Sequence, residues 1–300
     1  MDFARTPLQA PPPLPVLKPL QRLFLLFYLA RPINLLLLVA TALLALYLLH
    51  QTQPLLPIHK LCASYLITSA LLIMAGGYWL NDLYDVEIDT INRPRRAAAV
   101  RLLTRRRILT AVMIAWGAAL LCTIPLRWQF KALHLFVIGA LFWYNRWGKR
   151  LGLPGNLLIA GLTALLPWEL MLLTGRTAYA VDWMIPLAAV FNFAREVIKD
   201  AEDQPGDLPY DVRSLPGRLS PWTWHYILRL GWLSLLAFLY LPALIKYLLW
   251  QTISTAYLLA VTLGSALPLL WGLVNLSDYS LLSRLLKVAM AGGLFALAFL

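Results

Sequence analysis

Two short stretches hold most of the acids in this sequence. Residues 81–96 read NDLYDVEIDTINRPRR and residues 195–207 read REVIKDAEDQPGD. Both set aspartates in one frame, D-x-x-D-x-x-x-D: Asp82, Asp85 and Asp89 in the first, Asp200, Asp203 and Asp207 in the second. With Glu87 in the first window and Glu196, Glu202 and Asp211 around the second, ten of the 14 Asp and Glu residues fall in these windows. On a helix, positions three and four apart share a face, so each triplet predicts a column of carboxylates wherever the helix persists. Like charges this close call for cations. Hard ions such as Mg²⁺ are held by one or two carboxylates plus the phosphate oxygens of a substrate. Two facing columns would therefore clamp Mg²⁺ and a diphosphate. Solvated acidic loops are the alternative, and the repeated frame argues against them.

The elements that must position these columns are apolar. The chain has 300 residues, 60% hydrophobic and only 13% charged, far from the quarter or so charged that is usual for soluble domains. Mean hydropathy is +0.69, which predicts an all-α, polytopic membrane protein. The net charge of +12 comes without a basic, aromatic-interleaved stripe on a soluble module, so nucleic acid is not an expected partner. Cys62 and Cys122 sit in apolar runs, and His50, His59, His134 and His225 are scattered; neither set has metal-site spacing.

Residues 1–20, rich in proline and without a signal-peptide plan, read as a flexible tail. Residues 21–300 read as one membrane domain that opens with a short amphipathic run and Arg31-Pro32-Ile33-Asn34. Spans of about 20 apolar residues are expected near 32–50, 58–81, 107–126, 133–146, 154–174, 179–199, 222–245, 254–275 and 281–300. With the N-terminus cytoplasmic, this arrangement places 21 of the 26 Lys and Arg residues inside, as the positive-inside rule requires. It puts the C-terminus on the opposite side and suits a cell inner membrane. Both aspartate triplets then fall at the cytoplasmic ends of even-numbered spans, 118 residues apart. Three polar loops, 82–106, 146–153 and 200–220, would cap the bundle on that side.

The middle loop offers Tyr144, Asn145, Lys149, Arg150, Gly155 and Asn156. Lysine and arginine there could pair with phosphate oxygens or anchor the loop at lipid headgroups, which is the expected role of the arginines at 101, 105, 106 and 107. Asn34 and Asn192 are polar residues in apolar helices, expected to face the bundle interior, with an interhelical hydrogen bond favoured for Asn192. Glu169 is the carboxylate expected near mid-membrane; stabilising cationic charge, binding an acceptor and bonding a neighbouring helix are all open to it. The 12 Trp and 13 Tyr residues predict interface belts, with a minority lining a cavity and shielding a carbocation by cation–π attraction. Gly76-Gly77 predicts close helix packing.

With these residues in hand, the sequence resembles the UbiA superfamily of intramembrane prenyltransferases. Asn81-Asp82-x-x-Asp85-x-x-x-Asp89, followed by Asn92-Arg93-Pro94 and Arg96, resembles the family's first aspartate-rich motif, and Asp200-x-x-Asp203-x-x-x-Asp207 the second. Arg195-Glu196-x-x-Lys199-Asp200, Arg31-Pro32-x-Asn34 and Lys149-Arg150 with Gly155-Asn156 are most similar to its digeranylgeranylglyceryl phosphate synthase branch. Ala97-Ala98-Ala99 stands where many members carry a Ser-Gly pair.

The resemblance implies nine helices around a central cavity and Mg²⁺ held by the six aspartates. It also implies a polyprenyl diphosphate whose tail lies among the helices, and a lipophilic acceptor. Lys149 would stabilise the leaving diphosphate, with Arg96 and Arg150, while Asn34, Asn81, Tyr144 and Lys199 would bind substrate. The reaction implied is transfer of a polyprenyl group, geranylgeranyl in that branch, to an acceptor such as geranylgeranylglyceryl phosphate. An aromatic quinone precursor is the alternative acceptor. Solute transport is the alternative from another class, but its sites lie near the bilayer midplane whereas these acids lie at one surface. A non-catalytic assembly subunit would not need six aspartates.

Overall fold

A computed structural model describes residues 17–210 and 214–300, apart from the side chains of Lys149, Arg150 and Tyr210. Among the described residues every regular element is helical. The chain enters through α1 (Pro19–Leu29), α2 (Pro32–Thr52) and α3 (Pro57–Tyr84). Each opens on proline, whose fixed φ and missing amide hydrogen suit a first turn. Two short helices follow, α4 (Asp89–Asn92) and α5 (Pro94–Leu103), then α6 (Arg105–Cys122) and α7 (Trp128–Arg146). A 3₁₀ turn, Gly148–Leu151, leads into α8 (Leu153–Thr163), α9 (Leu165–Thr174) and α10 (Tyr179–Asp207). The remainder is α11 (Leu215–Arg218), α12 (Pro221–Trp250), α13 (Thr255–Val261), a π-helical segment Thr262–Ala266, α14 (Leu267–Val274) and α15 (Tyr279–Ala296).

Six stretches are long and apolar enough to cross a bilayer: α2, α3, α8 with α9, α12, α13 with α14, and α15 with its 3₁₀ end. Large apolar side chains are turned outward along them, Leu36, Leu263, Trp271 and Val274 among others. That is a cost in water but not in lipid, and the chain is an integral membrane protein with several spans. Helices also occupy the other three stretches expected to span, as α6, α7 and α10. Arg105, Arg106 and Arg107 open the first, Gln129 and Lys131 fall on the second, and the third ends in the acidic motif.

Two apolar cores form. The larger joins α10, α12, α13, α14 and α15 around Trp232, Leu239, Leu269, Leu282 and Leu286, with the Trp232 indole N–H donating to the Leu269 carbonyl at 2.5 Å. The smaller lies under a cap in which Ala99, Val100 and Leu103 of α5 meet Leu29 of α1, Leu80 of α3 and Ile108 of α6. α3 lies close against α6, where a Cβ on Gly76 would come within 2.5 Å of the Trp116 indole. That close approach is why glycine stands there.

Several expectations need correction. The stretches read as polar loops are mostly helical: 82–106 is the end of α3 followed by α4 and α5, and residues 200–207 continue α10. The fifth span is broken at Ala164, because Pro167 has no amide hydrogen for the Thr163 carbonyl and the turn tightens to a bond from Ala164 N–H to Gly161 at 3.1 Å. The eighth contains the π segment, and the seventh runs on to Trp250. Residues 1–16 of the expected tail lie outside the described residues, and α1 already begins at Pro19.

Candidate active site

The first acidic motif does not form one column. α3 ends at Tyr84, Asp85 is its C-cap (φ −91°, ψ 2°), and Asp89 opens α4. The turn at Asp85 re-aims the chain so that Asp82, Asp85 and Asp89 are all buried. In the second motif the helix persists: Asp200, Asp203 and Asp207 all lie on α10, the last two buried.

Arginine and asparagine hold the two motifs together. The Arg93 guanidinium reaches Asp203 at 2.5 Å and Asp89 at 3.5 Å, one residue from each motif. The Asn92 amide donates to the Asp203 carbonyl at 2.8 Å and accepts from the Gly206 N–H at 2.9 Å. A Cβ at Gly206 would sit 2.5 Å from the Asn92 amide nitrogen, so this junction requires glycine. Asn81 accepts from Arg31 at 3.0 Å and donates to Asp85 at 3.0 Å and to Asn145 of α7 at 3.2 Å. Asn156 of α8 donates to Asp200 at 2.8 Å. Tyr144 is within electrostatic range of Asp85, Asp200 and Glu196, which places α7 between the motifs.

Asp82 is the most enclosed of the six. Its Oδ1 receives Arg31 at 2.7 Å and Arg96 at 3.4 Å. Arg31 itself is in the left-handed region (φ 57°) and lies over the Tyr78 ring at 4.4 Å. Burial, the largest influence, lowers the pKa of Arg31, but Asp82, Tyr78 and Glu196 together reverse this and hold it above the ordinary guanidinium value. Arg93 behaves likewise: burial lowers its pKa, and Asp203 with Asp89 raises it above the ordinary value. Arg96 goes the other way: burial and then the neighbouring Arg31 push its pKa down.

Below these groups lies a cavity of about 320 Å³. Arg31, Asn34, Asn81, Tyr144 and Lys199 line its polar end, and Leu37, Ile73, Leu187 and Leu294 its apolar walls. Arg195 and Glu196 (2.7 Å apart) and Lys199 (3.9 Å from Glu196) face it from α10. Lys287 faces it from α15, within electrostatic range of Arg195, Arg31 and Arg96. Tyr78, Tyr144 and Phe191 are its aromatic lining.

Of the expected site residues, Asn34 donates to the Tyr78 hydroxyl at 3.0 Å. Asn192 lines the cavity, but its amide bonds the Ala188 carbonyl of its own helix at 2.9 Å rather than a neighbouring helix. Glu169 meets His134 of α7 at 3.0 Å. Lys149 and Arg150 lie on the 3₁₀ turn Gly148–Leu151, their side chains outside the described residues. Arg31, Asn92, Arg93, Asn145 and Lys287 were not expected as site groups. The signal for Asn92 and Arg93 is their place directly after the first motif; nothing in the sequence sets Lys287 apart from the chain's other cations.

No three of the described Asp, Glu, His and Cys side chains gather tightly enough to hold a metal ion by themselves. The donor set nevertheless fits a hard cation that shares its shell with phosphate. Asp82 Oδ2 is buried without a hydrogen-bond partner, an orphaned acceptor of the kind a cation or its water satisfies.

Known proteins place this geometry. Residues 35–292 match the UbiA prenyltransferase family. A digeranylgeranylglyceryl phosphate synthase of Ignicoccus hospitalis is 32% identical over 227 residues, 70% of each chain. Those of Sulfurisphaera tokodaii and Thermococcus gammatolerans are 32% and 35% identical over 165 and 144 residues, 53% and 47% of this chain. In those two pairs the match spans only 58% and 51% of the relative. A solved structure concerned with digeranylgeranylglyceryl phosphate synthase in membranes superposes with a TM-score of 0.66 at 20% identity, over 93% of this chain and 98% of that one; it shows a shared fold. The chain therefore belongs to the UbiA prenyltransferase family.

Proposed function

We propose that this protein transfers a geranylgeranyl group from its diphosphate to the free hydroxyl of geranylgeranylglyceryl phosphate. The observation that carries the reading is the Arg93 and Asn92 junction: two acidic motifs are tied across the mouth of an apolar cavity, where a diphosphate head and a prenyl tail can bind together. Asp82, Asp85, Asp89, Asp200, Asp203 and Asp207 would hold Mg²⁺ against the diphosphate. Mg²⁺, when bound, neutralises negative charge on the leaving oxygens.

The chain's own residues supply the rest. Arg31 and Arg96 already face Asp82, and they are placed to turn toward phosphate oxygens once the acids hold a cation. Lys149 and Arg150 would approach from the 3₁₀ turn. The allylic C–O bond breaks with its electron pair leaving on diphosphate; the acceptor oxygen then bonds to the allylic carbon, and the hydroxyl proton passes to the released diphosphate. Tyr78, Tyr144 and Phe191 line the space in which positive charge develops, and ring faces attract cations. The apolar walls exclude water, so hydrolysis does not compete.

The acceptor follows from the second group of cations. Arg195, Lys199 and Lys287 face the cavity from α10 and α15, on elements other than those carrying Arg93 and Arg96. A glycerophosphate brings a second anionic headgroup that would use them, and the relatives named above are called synthases of a glyceryl phosphate product. The test is transfer by purified protein in detergent with geranylgeranyl diphosphate and a panel of geranylgeranylglyceryl phosphate, 4-hydroxybenzoate and dihydroxynaphthoate. Mass spectrometry should find only the glycerophosphate product. A prenylated aromatic acid instead would overturn the acceptor and keep the family chemistry.

A further inference from the structure

The deep end of the cavity is polar in a way that the proposed transfer does not use. On each wall helix the lining residues follow helical spacing, and the last of them are Thr41 (α2), Ala70 (α3), His134 (α7), Glu169 (α9), Met184 (α10) and Leu297 (3₁₀ end of α15). His134 and Glu169 therefore stand at the floor. Ser69, one residue below Ala70, completes a fully buried cluster with them.

Its hydrogen bonds fix most of its protons. The Ser69 hydroxyl donates to the Ala119 carbonyl at 2.8 Å. Having only one hydrogen, it must accept from His134 Nδ1, 2.6 Å away. That leaves His134 Nε2 facing Glu169 Oε1 at 3.0 Å, and a bare ring nitrogen against a carboxylate oxygen would repel. Glu169 Oε1 is buried and, despite this approach, makes no hydrogen bond within the described residues. It faces the cavity as a polar group still able to take a partner.

Depth gives the cluster a meaning. α3 is continuous from Ser69 to Asp82, which at about 1.5 Å per residue sets the floor roughly 20 Å below the first motif. With ordinary carbon–carbon bond lengths an extended isoprene unit spans about 5 Å, so about four units fit between the diphosphate site and the floor. We infer that Ser69, His134 and Glu169 form a polar floor that limits the prenyl donor to about four isoprene units. A fifth unit would press apolar carbon against a buried, incompletely bonded acid–imidazole pair and deny it its remaining partner, an unfavourable exchange. The inference rests on the reading of the cavity as the prenyl-tail site.

The experiment compares farnesyl, geranylgeranyl and geranylfarnesyl diphosphates as donors to geranylgeranylglyceryl phosphate. Wild type should use the four-unit donor over the five-unit one by about tenfold or more in kcat/KM, the scale on which an apolar pocket rejects excess length. The double variant His134→Ala/Glu169→Ala, which removes both members so that neither is left unpaired, should bring that ratio near one. Ala70→Phe, which fills the floor, should shift preference to the three-unit donor. Each variant's farnesyl transfer and thermal melt report that it is folded, and Glu169→Gln replaces the double variant if that does not fold, with a smaller shift of the same sign. Wild type that uses four and five units equally, or an unchanged ratio in the floor variants, overturns the inference. Wild type that transfers from no donor overturns the proposed function instead.

Discussion

Asn92 and Gly206 meet in a backbone-to-side-chain hydrogen bond of 2.9 Å, and the same amide also holds the Asp203 carbonyl at 2.8 Å. Residues 114 apart thereby set the spacing between the two acidic motifs. Asn92→Ala removes both bonds and should cost about 1–3 kcal/mol of stability. Gly206→Ala inserts a methyl group where no space exists. Both variants should lose at least about tenfold in kcat/KM, because a small misplacement of positioned groups is expensive in rate. Thermal melts and transfer assays on the purified variants check this.

Arg31, at the start of α2, and Asp82 of α3 form a buried ion pair, with side chains 13% and 1% exposed. Removing one partner of a buried pair typically costs about 3–5 kcal/mol. Arg96 still reaches Asp82 at 3.4 Å, so Arg31→Ala should fall toward the lower end of that range. A double-mutant cycle with Asp82→Asn should show non-additivity, since the loss of Asp82 strands Arg31 in the single variant but not in the double one.

Arg93 is the internal counter-ion of the acidic mouth, bridging Asp89 and Asp203. Arg93→Ala removes this shared guanidinium, and a divalent cation can take over its neutralising role. The melting temperature of the variant should rise more on adding Mg²⁺ than that of wild type does. Equal Mg²⁺ shifts in the two proteins would show that the ion and Arg93 do not act on the same acids.

Lys287 faces the cavity from α15. Lys287→Ala should raise KM for geranylgeranylglyceryl phosphate by about tenfold, the scale of one charge-assisted hydrogen bond, and leave KM for the prenyl diphosphate nearly unchanged. Varying the two substrates separately distinguishes these effects.

The membrane character, the helical nature of the apolar stretches, six of them long enough to cross a bilayer, and the frame shared by the two motifs were legible because they are local. Hydropathy, spacing and proline at helix starts are written along the chain. The break at Ala164 was also written, in Pro167, yet mean hydropathy reads straight across it. The turn at Asp85 was not legible, since it depends on Arg31 and Asn145 arriving from other helices to receive Asp82 and Asn81. Asn192 could not be assigned either: whether a cavity-lining amide bonds its own i−4 carbonyl or a neighbour is decided by what lies across the cavity. The Ser69, His134 and Glu169 cluster draws on α3, α7 and α9. Each residue was visible as a polar intruder in an apolar run, but nothing in the order of the chain joins them.

The central claim is that both motifs together hold one Mg²⁺–diphosphate head. The most direct measurement is calorimetric titration of the detergent-purified protein with a non-ionising thiodiphosphate analogue of geranylgeranyl diphosphate, with Mg²⁺ and with EDTA. Wild type should bind only with Mg²⁺, and Asp82→Asn and Asp200→Asn, one from each motif, should each weaken binding by about tenfold or more, as expected when a buried charged ligand is lost. Binding that persists in EDTA, or that survives unchanged in either variant, would contradict the account.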